Sequence, residues 1–338
     1  MIPKSANRLS AKIMLEHGVA LRGPVPQSLS ATTNIRLGTR GSPLALYQAR
    51  LVQQRLAAAH GLDPARIAIE VIRTTGDQVQ DRVLADVGGK GVFTKEIEEA
   101  LAAGRIDLAV HSAKDMPTVL PAGLALAAFL PREDARDAFV SRKANSLAAL
   151  APGTVVGTAS PRRQAMVRRL RPDLHVAPLR GNVDTRLRKI EQGEADATVL
   201  AFAGLKRLGL ESTANSVFDI AEFLPAVGQG AIAVETREDD TKTRDLLASI
   251  NDPDTALALA AERAYLAVLD GNCRTPIAGH AMIIAGRVQM RGQILKPDGS
   301  RFYDIICDGP LTDAEAVGTA AGRDLKARAG ADFFKNEI

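Results

Sequence analysis

At 338 residues the chain is long enough for two or three domains with cores of their own. With 46% hydrophobic and 24% charged residues and a mean hydropathy of −0.02, its composition is that of an ordinary globular protein. No apolar run approaches the roughly 18 residues that would span a bilayer. A net charge of +4 is too small to announce nucleic acid, and with no Trp and 4% aromatics a base-stacking platform is disfavoured.

Residues 1–33 are basic, carry Pro24 and Pro26 among several Ser and Thr, and show no periodicity. They lack the apolar core of a secretion signal, so they read as a disordered extension, with organelle targeting as the weaker alternative. An upstream start codon, with Met14 as the internal alternative, would also account for them. The first ordered signal is IRLGTRGSPLALYQ at 35–48: a short apolar run, Gly-Thr, then Ser42-Pro43 opening a helix. Ser before Pro is a helix start, and such a start offers free backbone N–H groups to an anion. VGGKGVFTKE at 87–96 lacks the Walker spacing and reads as a flexible loop over a cleft. Thr94 then caps a helix whose early Glu96, Glu98 and Glu99 suit its positive end, and Gly104 fits the C-cap. IDLAVHSAKDMPT at 106–118 ends a buried strand on His111, Ser112, Lys114 and Asp115.

The same pattern returns downstream. VVGTASPRRQ at 155–164 repeats strand, Gly-Thr and Ser-Pro; LRKIEQGEADATVL at 187–200 repeats helix, Gly and buried strand, with Val183, Leu187 and Ile190 as the apolar stripe. From the first of these segments into the second run Arg162, Arg163, Arg168, Arg169, Arg171, Arg180, Arg186 and Arg188. Strand alternating with helix in two echoing halves predicts an α/β fold of two similar lobes flanking a cleft, with ligand at the carboxyl ends of the strands. The expected boundaries are 34–130 plus about 231–248 for the first lobe and 136–224 for the second. From 253 to 338 a helix, the strand-like IIAGRVQMRGQI and a hairpin signal at Pro297-Asp298-Gly299 predict a small C-terminal α+β domain.

Several side chains in this frame could carry chemistry. Arg40 stands before Ser42, and Arg162 and Arg163 follow Ser160; either start could be only a well-capped helix, but the repetition around one cleft favours anion binding. Arg180, at a predicted strand end, suits a bidentate grip on carboxylate. Asp115 either caps a turn or moves protons beside Lys114. Cys273, in the polar loop DGNCRTP beside Arg274, is either structural or a reactive thiolate; Cys307 in YDIIC reads as core. The two cysteines show no metal-ligand spacing, and no metal is expected.

Together RLGTRGSPLAL, VGGKGVFTKE, DLAVHSAKDMPT, REDARDAF, VGTASPRRQ, LRGNVDTRL, AGLKRLGL, PAVGQGA and DGNCRTPI closely resemble the porphobilinogen deaminase (hydroxymethylbilane synthase) family, in family order from about residue 35 to past 280. The resemblance implies two periplasmic-binding-protein-like lobes and a third domain bearing the cysteine. It implies a transferase of tetrapyrrole and heme biosynthesis, with a dipyrromethane cofactor held by a thioether at Cys273. Four porphobilinogen units would be joined to it head to tail with loss of ammonia, and the linear hydroxymethylbilane then hydrolysed off. Asp115 matches the proton-transfer group that steadies a cationic azafulvene. Arg40, Ser42, Lys114, Thr158, Ser160, Arg162 and Arg163 match positions that hold the cofactor's carboxylates. Arg180, Arg186, Arg207, Gln48, Lys90, Phe93 and Ser112 match substrate-binding positions, Lys90 and Phe93 on the loop. Asp86 departs from the pattern, standing where some relatives place a loop lysine. The expected partners are porphobilinogen and linear polypyrroles, with neither nucleic acid nor membrane, for a cytoplasmic monomer. A non-catalytic two-lobed binder of polyanions is the rival reading; it would need neither Cys273 nor Asp115.

Overall fold

The computed structural model describes residues 34–78, 93–269, 276–330 and 333; the extension 1–33, Asp86, Lys90, Cys273 and Arg274 lie outside the described residues. Strand β1 (Ile35–Thr39) leads into helix α1 (Pro43–His60), which buries Ala45, Ala49, Val52 and Leu56 at helical spacing. Its start is as the sequence predicts: Ser42 Oγ accepts from the Ala45 amide at 3.3 Å and Pro43 stands first in the helix. β2 (Ile67–Val71) follows, then α2 (Lys95–Ala102) and β3 (Leu108–Ser112). Gly104 lies one residue past the C-cap Ala103, with φ +67°. Thr94 does stand at the N-cap of α2, but its side chain makes no capping hydrogen bond.

β4 (Leu124–Phe129) completes the first stretch, and the chain crosses through 130–136 into β5 (Asp137–Ser141). β6 (Val155–Gly157), α3 (Pro161–Leu170), β7 (His175–Ala177), α4 (Val183–Glu191), β8 (Ala197–Ala201), α5 (Phe202–Arg207) and β9 (Ser216–Val217) build the second lobe. The chain then returns to lay down β10 (Ile232–Arg237) and α6 (Thr241–Ala248).

Strand order shows the internal echo as architecture. The first sheet runs β2-β1-β3-β10-β4 and the second β7-β6-β8-β5-β9. In each, three parallel strands meet a fourth that runs antiparallel: β10 between β3 and β4, β5 between β8 and β9. Each lobe therefore receives a strand from beyond a crossover, and two chain segments, 130–136 and 218–231, link the lobes at their adjoining strand ends. β3 and β8 are almost wholly buried, as central parallel strands covered on both faces must be. In the second lobe Phe139, Val156, Met166, Val199 and Phe223 form the core, each worth about 1.5–3 kcal/mol of burial.

The remaining chain forms α7 (Pro253–Val268), β11 (Ile277–Ile284), β12 (Arg287–Leu295), β13 (Phe302–Pro310) and α8 (Ala314–Ala329). The sequence suggested one strand over IIAGRVQMRGQI; it is two, folded at Ala285-Gly286, whose φ values of 49° and 72° suit a tight hairpin turn. Pro297-Asp298-Gly299 makes the next connection. Tyr265 of α7 is fully buried against this sheet; a Cβ at Gly292 would lie 2.7 Å from its ring, so only glycine allows the contact. Cys307 is half-buried against the same core.

One buried carboxylate ties both crossovers to the third sheet. Glu262 of α7 pairs with Arg132 of the first crossover at 2.5 Å and accepts from the amides of Gly228 in the second crossover and Ala281 of β11. Its four contacts satisfy a charge that would otherwise be costly to bury. Among the described residues no helix is long and apolar enough to cross a membrane.

Candidate active site in the interlobe cleft

The carboxyl end of β3 delivers Ser112 and then a 3-10 turn, Ala113–Asp115. Ser112 Oγ and Gln48 Nε2 are 2.9 Å apart, so buried Gln48 of α1 fixes the strand end against the helix. The turn rests on the second crossover. Gly228 has φ +75°, and a Cβ there would fall 2.8 Å from the Lys114 backbone nitrogen; only glycine lets the chain pass this close. Arg40 stacks over the Phe93 ring at 4.1 Å, bringing the end of the Gly-rich stretch to the first helix start.

Across the cleft, Ser160 caps α3, its Oγ accepting from the Arg163 amide at 3.4 Å, while Thr158 Oγ1 accepts from the Ser160 amide at 3.2 Å. Arg162 and Arg163 are buried and share Asp137 at the start of β5, at 2.7 and 2.6 Å. Burial alone would raise the Asp137 pKa, but the two guanidinium groups outweigh it and hold the carboxyl below its ordinary range. Arg162 also donates to the Leu224 carbonyl at 2.8 Å. Its guanidinium is thus largely engaged inside the lobe. Gln229 of the second crossover donates to Asp137 at 3.1 Å and to the Ala135 carbonyl at 2.7 Å, so both crossovers lock the arginine pair.

Lys114 is exposed to solvent by surface area, yet it stands between the lobes with protein atoms crowded about it. That enclosure, then the charge of Arg163, lowers its pKa to about 8, with Asp115 and Asp137 opposing. Arg186 of α4 is lowered to about 10 by burial first, then by Arg163 and Arg180, with Asp115 opposing. These mutual fields place Lys114 and Asp115 of one lobe beside Arg163 and Arg186 of the other. The Arg186 Nε is buried without a hydrogen-bond partner. Arg207 is buried and donates to the Gly230 carbonyl at 2.6 Å, so its described contact is with the crossover. A depression of about 500 Å³ lined by Ala102, Leu124, Arg237, Glu238 and Asp239 lies at the opposite strand ends of the first lobe; its one cation stands among two carboxylates, which does not suit a polyanion.

The donor set suits a polyanion. Asp137 is committed to Arg162 and Arg163, which leaves Asp115 as the carboxylate facing Lys114 and Arg186. An unpartnered buried guanidinium nitrogen and crowded cations are what acetate and propionate groups of a linked-pyrrole cofactor would satisfy. Sequence reasoning passed over Asp137, Gln229, Arg132 and Glu262. A charged residue opening the buried run DAFV was the available signal, since such a residue is rarely buried unpaired.

Fold and site together define a two-lobed α/β protein whose cleft sets the carboxylate of Asp115 among cations gathered from both lobes. Residues 35–245 match the family described as "Porphobilinogen deaminase, dipyromethane cofactor binding domain", and residues 256–327 match "Porphobilinogen deaminase, C-terminal domain". The porphobilinogen deaminase of Nitrobacter winogradskyi is 60% identical over 298 residues, covering 88% of this chain and 94% of that one. That of Nitrobacter hamburgensis is 59% identical over the same shares. A methionine-bound nutrient-binding protein from Burkholderia cenocepacia superposes with a TM-score of 0.41 at 15% identity, over 69% of this chain and 94% of that chain. The chain belongs to the porphobilinogen deaminase family.

Proposed function

We propose that the protein joins four porphobilinogen units head to tail with loss of ammonia and releases the product, hydroxymethylbilane, by hydrolysis, with Asp115 as its proton-transfer group. The observation that carries this is the pairing across the cleft: Asp115 lies in the fields of Lys114 from its own turn and Arg186 from the other lobe. A dipyrromethane held by a thioether at Cys273 supplies, when bound, the pyrrole carbon to which the first substrate unit is joined. Arg40, Ser42, Lys114, Thr158, Ser160 and Arg163 hold its acetates and propionates, with Arg162 behind them on Asp137. Gln48, Ser112, Arg180, Arg186 and Arg207, with Lys90 and Phe93, receive the substrate.

Asp115 accepts hydrogen bonds from pyrrole N–H groups and opposes the positive charge left on the substrate when its C–N bond breaks and ammonia departs. It then takes the proton displaced from the ring carbon at which the new C–C bond forms. Each added unit brings two carboxylates, which is why the cleft holds more cations than one substrate requires. The three sheets serve as three domains: a catalytic lobe, an arginine-rich lobe and a cofactor-bearing domain. We take the protein to act as a cytoplasmic monomer.

The test is the mass of the Cys273 peptide from protein purified without added substrate. Two linked pyrrole units on that peptide are expected. A thiol that stays unmodified after preuroporphyrinogen is supplied would overturn the reading in favour of a non-catalytic binder.

A further inference from the structure

His111 belongs to the cluster that ends β3, yet the reaction scheme gives it no task. Its Nε2 lies 3.1 Å from Glu235 Oε2, with the two side chains 3% and 0% exposed. Glu235 sits on β10, the strand paired with β3, where the pairing of β10 with β4 slips between Val234 and Glu235. Such a bulge re-aims a side chain. The second oxygen, Oε1, is buried without a hydrogen-bond partner.

Two further charged groups face this carboxylate. Glu98 of α2 lies over it, its own pKa raised by burial first and also by the like charge of Glu235. Arg263 of α7 lies in its field and donates to the Pro117 and Thr118 carbonyls at 2.9 and 3.1 Å. His111 therefore leads into the turn that bears Asp115, and Arg263 holds the chain as it leaves. Glu235 faces both. The turn has little hydrogen bonding of its own: Ala113 N reaches the Ala231 carbonyl at 3.0 Å and Met116 N the Ala113 carbonyl at 3.3 Å.

We propose that Glu235 is the positioning residue of the catalytic turn: its buried carboxylate fixes His111 at the entrance, so that Asp115 is held in one orientation. The inference rests on Asp115 as the proton-transfer group. A buried ionic scaffold suits this task because a misplacement of about 1 Å can cost on the order of a hundredfold in rate.

The experiment compares Glu235→Gln and Glu98→Gln with the parent, all as cofactor-loaded protein, by amide hydrogen exchange over 113–118 and by kcat and KM. Glu235→Gln is expected to speed exchange over 113–118 about tenfold and lower kcat about tenfold with KM nearly unchanged. Glu98→Gln is expected to leave both near the parent. Should Glu235→Gln not fold, His111→Asn removes the same contact from β3 and is read the same way. Parental exchange and kcat would overturn the proposal, as would faster exchange spread evenly over the lobe or an equal effect from Glu98→Gln. The exchange readout does not depend on Asp115 being catalytic, so a failure here is distinct from an active Asp115→Ala.

Discussion

The two Ser-Pro helix starts are alike in sequence and backbone but differ in what stands behind them. Ser42 and Ser160 each cap a helix with Pro at its first turn, and each accepts from the amide three residues on. In the second lobe the neighbouring cations, Arg162 and Arg163, are buried and clamped by Asp137. In the first lobe Arg40 is only half-buried and lies over Phe93. One motif is thus backed by a clamped, buried arginine pair in one lobe and bordered by a loop-end aromatic in the other. The strand ends differ as well: Asp115, which we propose as the proton-transfer group, and Lys114 follow β3, whereas Phe202 and Ala203 follow β8 at the corresponding strand end.

That division of labour can be broken from either side. The largest effect is expected from Asp115→Ala, which should melt near the parent yet lose on the order of 10² to 10⁴ in turnover, read by steady-state assay beside a thermal melt. Turnover near the parent would remove the catalytic distinction between the lobes. Next in size, Asp137→Asn leaves two buried guanidinium groups uncompensated and should cost about 3–5 kcal/mol in urea unfolding. A loss under about 1 kcal/mol would mean the second site is no more rigid than the first.

The smallest and most specific effect concerns Lys114. Its folded pKa of about 8 lies below the ordinary lysine value, so the free cleft loses this positive charge as pH rises through about 8. Substrate KM should rise several-fold above that pH, and Lys114→Arg should remove the inflection, because arginine stays protonated there. The stability sign is opposite. The unfolded chain binds the lysine proton more tightly between about 8 and 10.5, so this group makes stability rise with pH over that window. A flat KM profile from pH 7 to 9 would show that the charge of Lys114, proposed to hold the cofactor's carboxylates, does not act on the neighbouring substrate.

Local order was legible where it depended on neighbours in sequence. The helix starts at Ser42-Pro43 and Ser160-Pro161, the stripe on α4 and the buried strands β3 and β8 all follow from capping chemistry and periodicity. The break at Ala285-Gly286 was less visible, because apolar residues flank a turn carrying only one glycine. Within the site, Asp115 and the arginines stood out as charges at strand and helix ends. Asp137, Gln229 and Glu262 did not, since each acquires its partners only when segments tens of residues apart are brought together.

By itself, then, the sequence determined the echoing α/β halves, the capped Ser-Pro helix starts and the family, since these rest on short-range spacing and on blocks of residues in order. Only the tertiary structure decided that β10 and β5 run antiparallel to their neighbours and that Asp137 claims Arg162 and Arg163. It alone set Lys114 and Asp115 opposite Arg163 and Arg186. The physical reason is burial. A charge taken from water must find its counterpart wherever the fold supplies one, and in this chain the counterparts lie far apart in sequence.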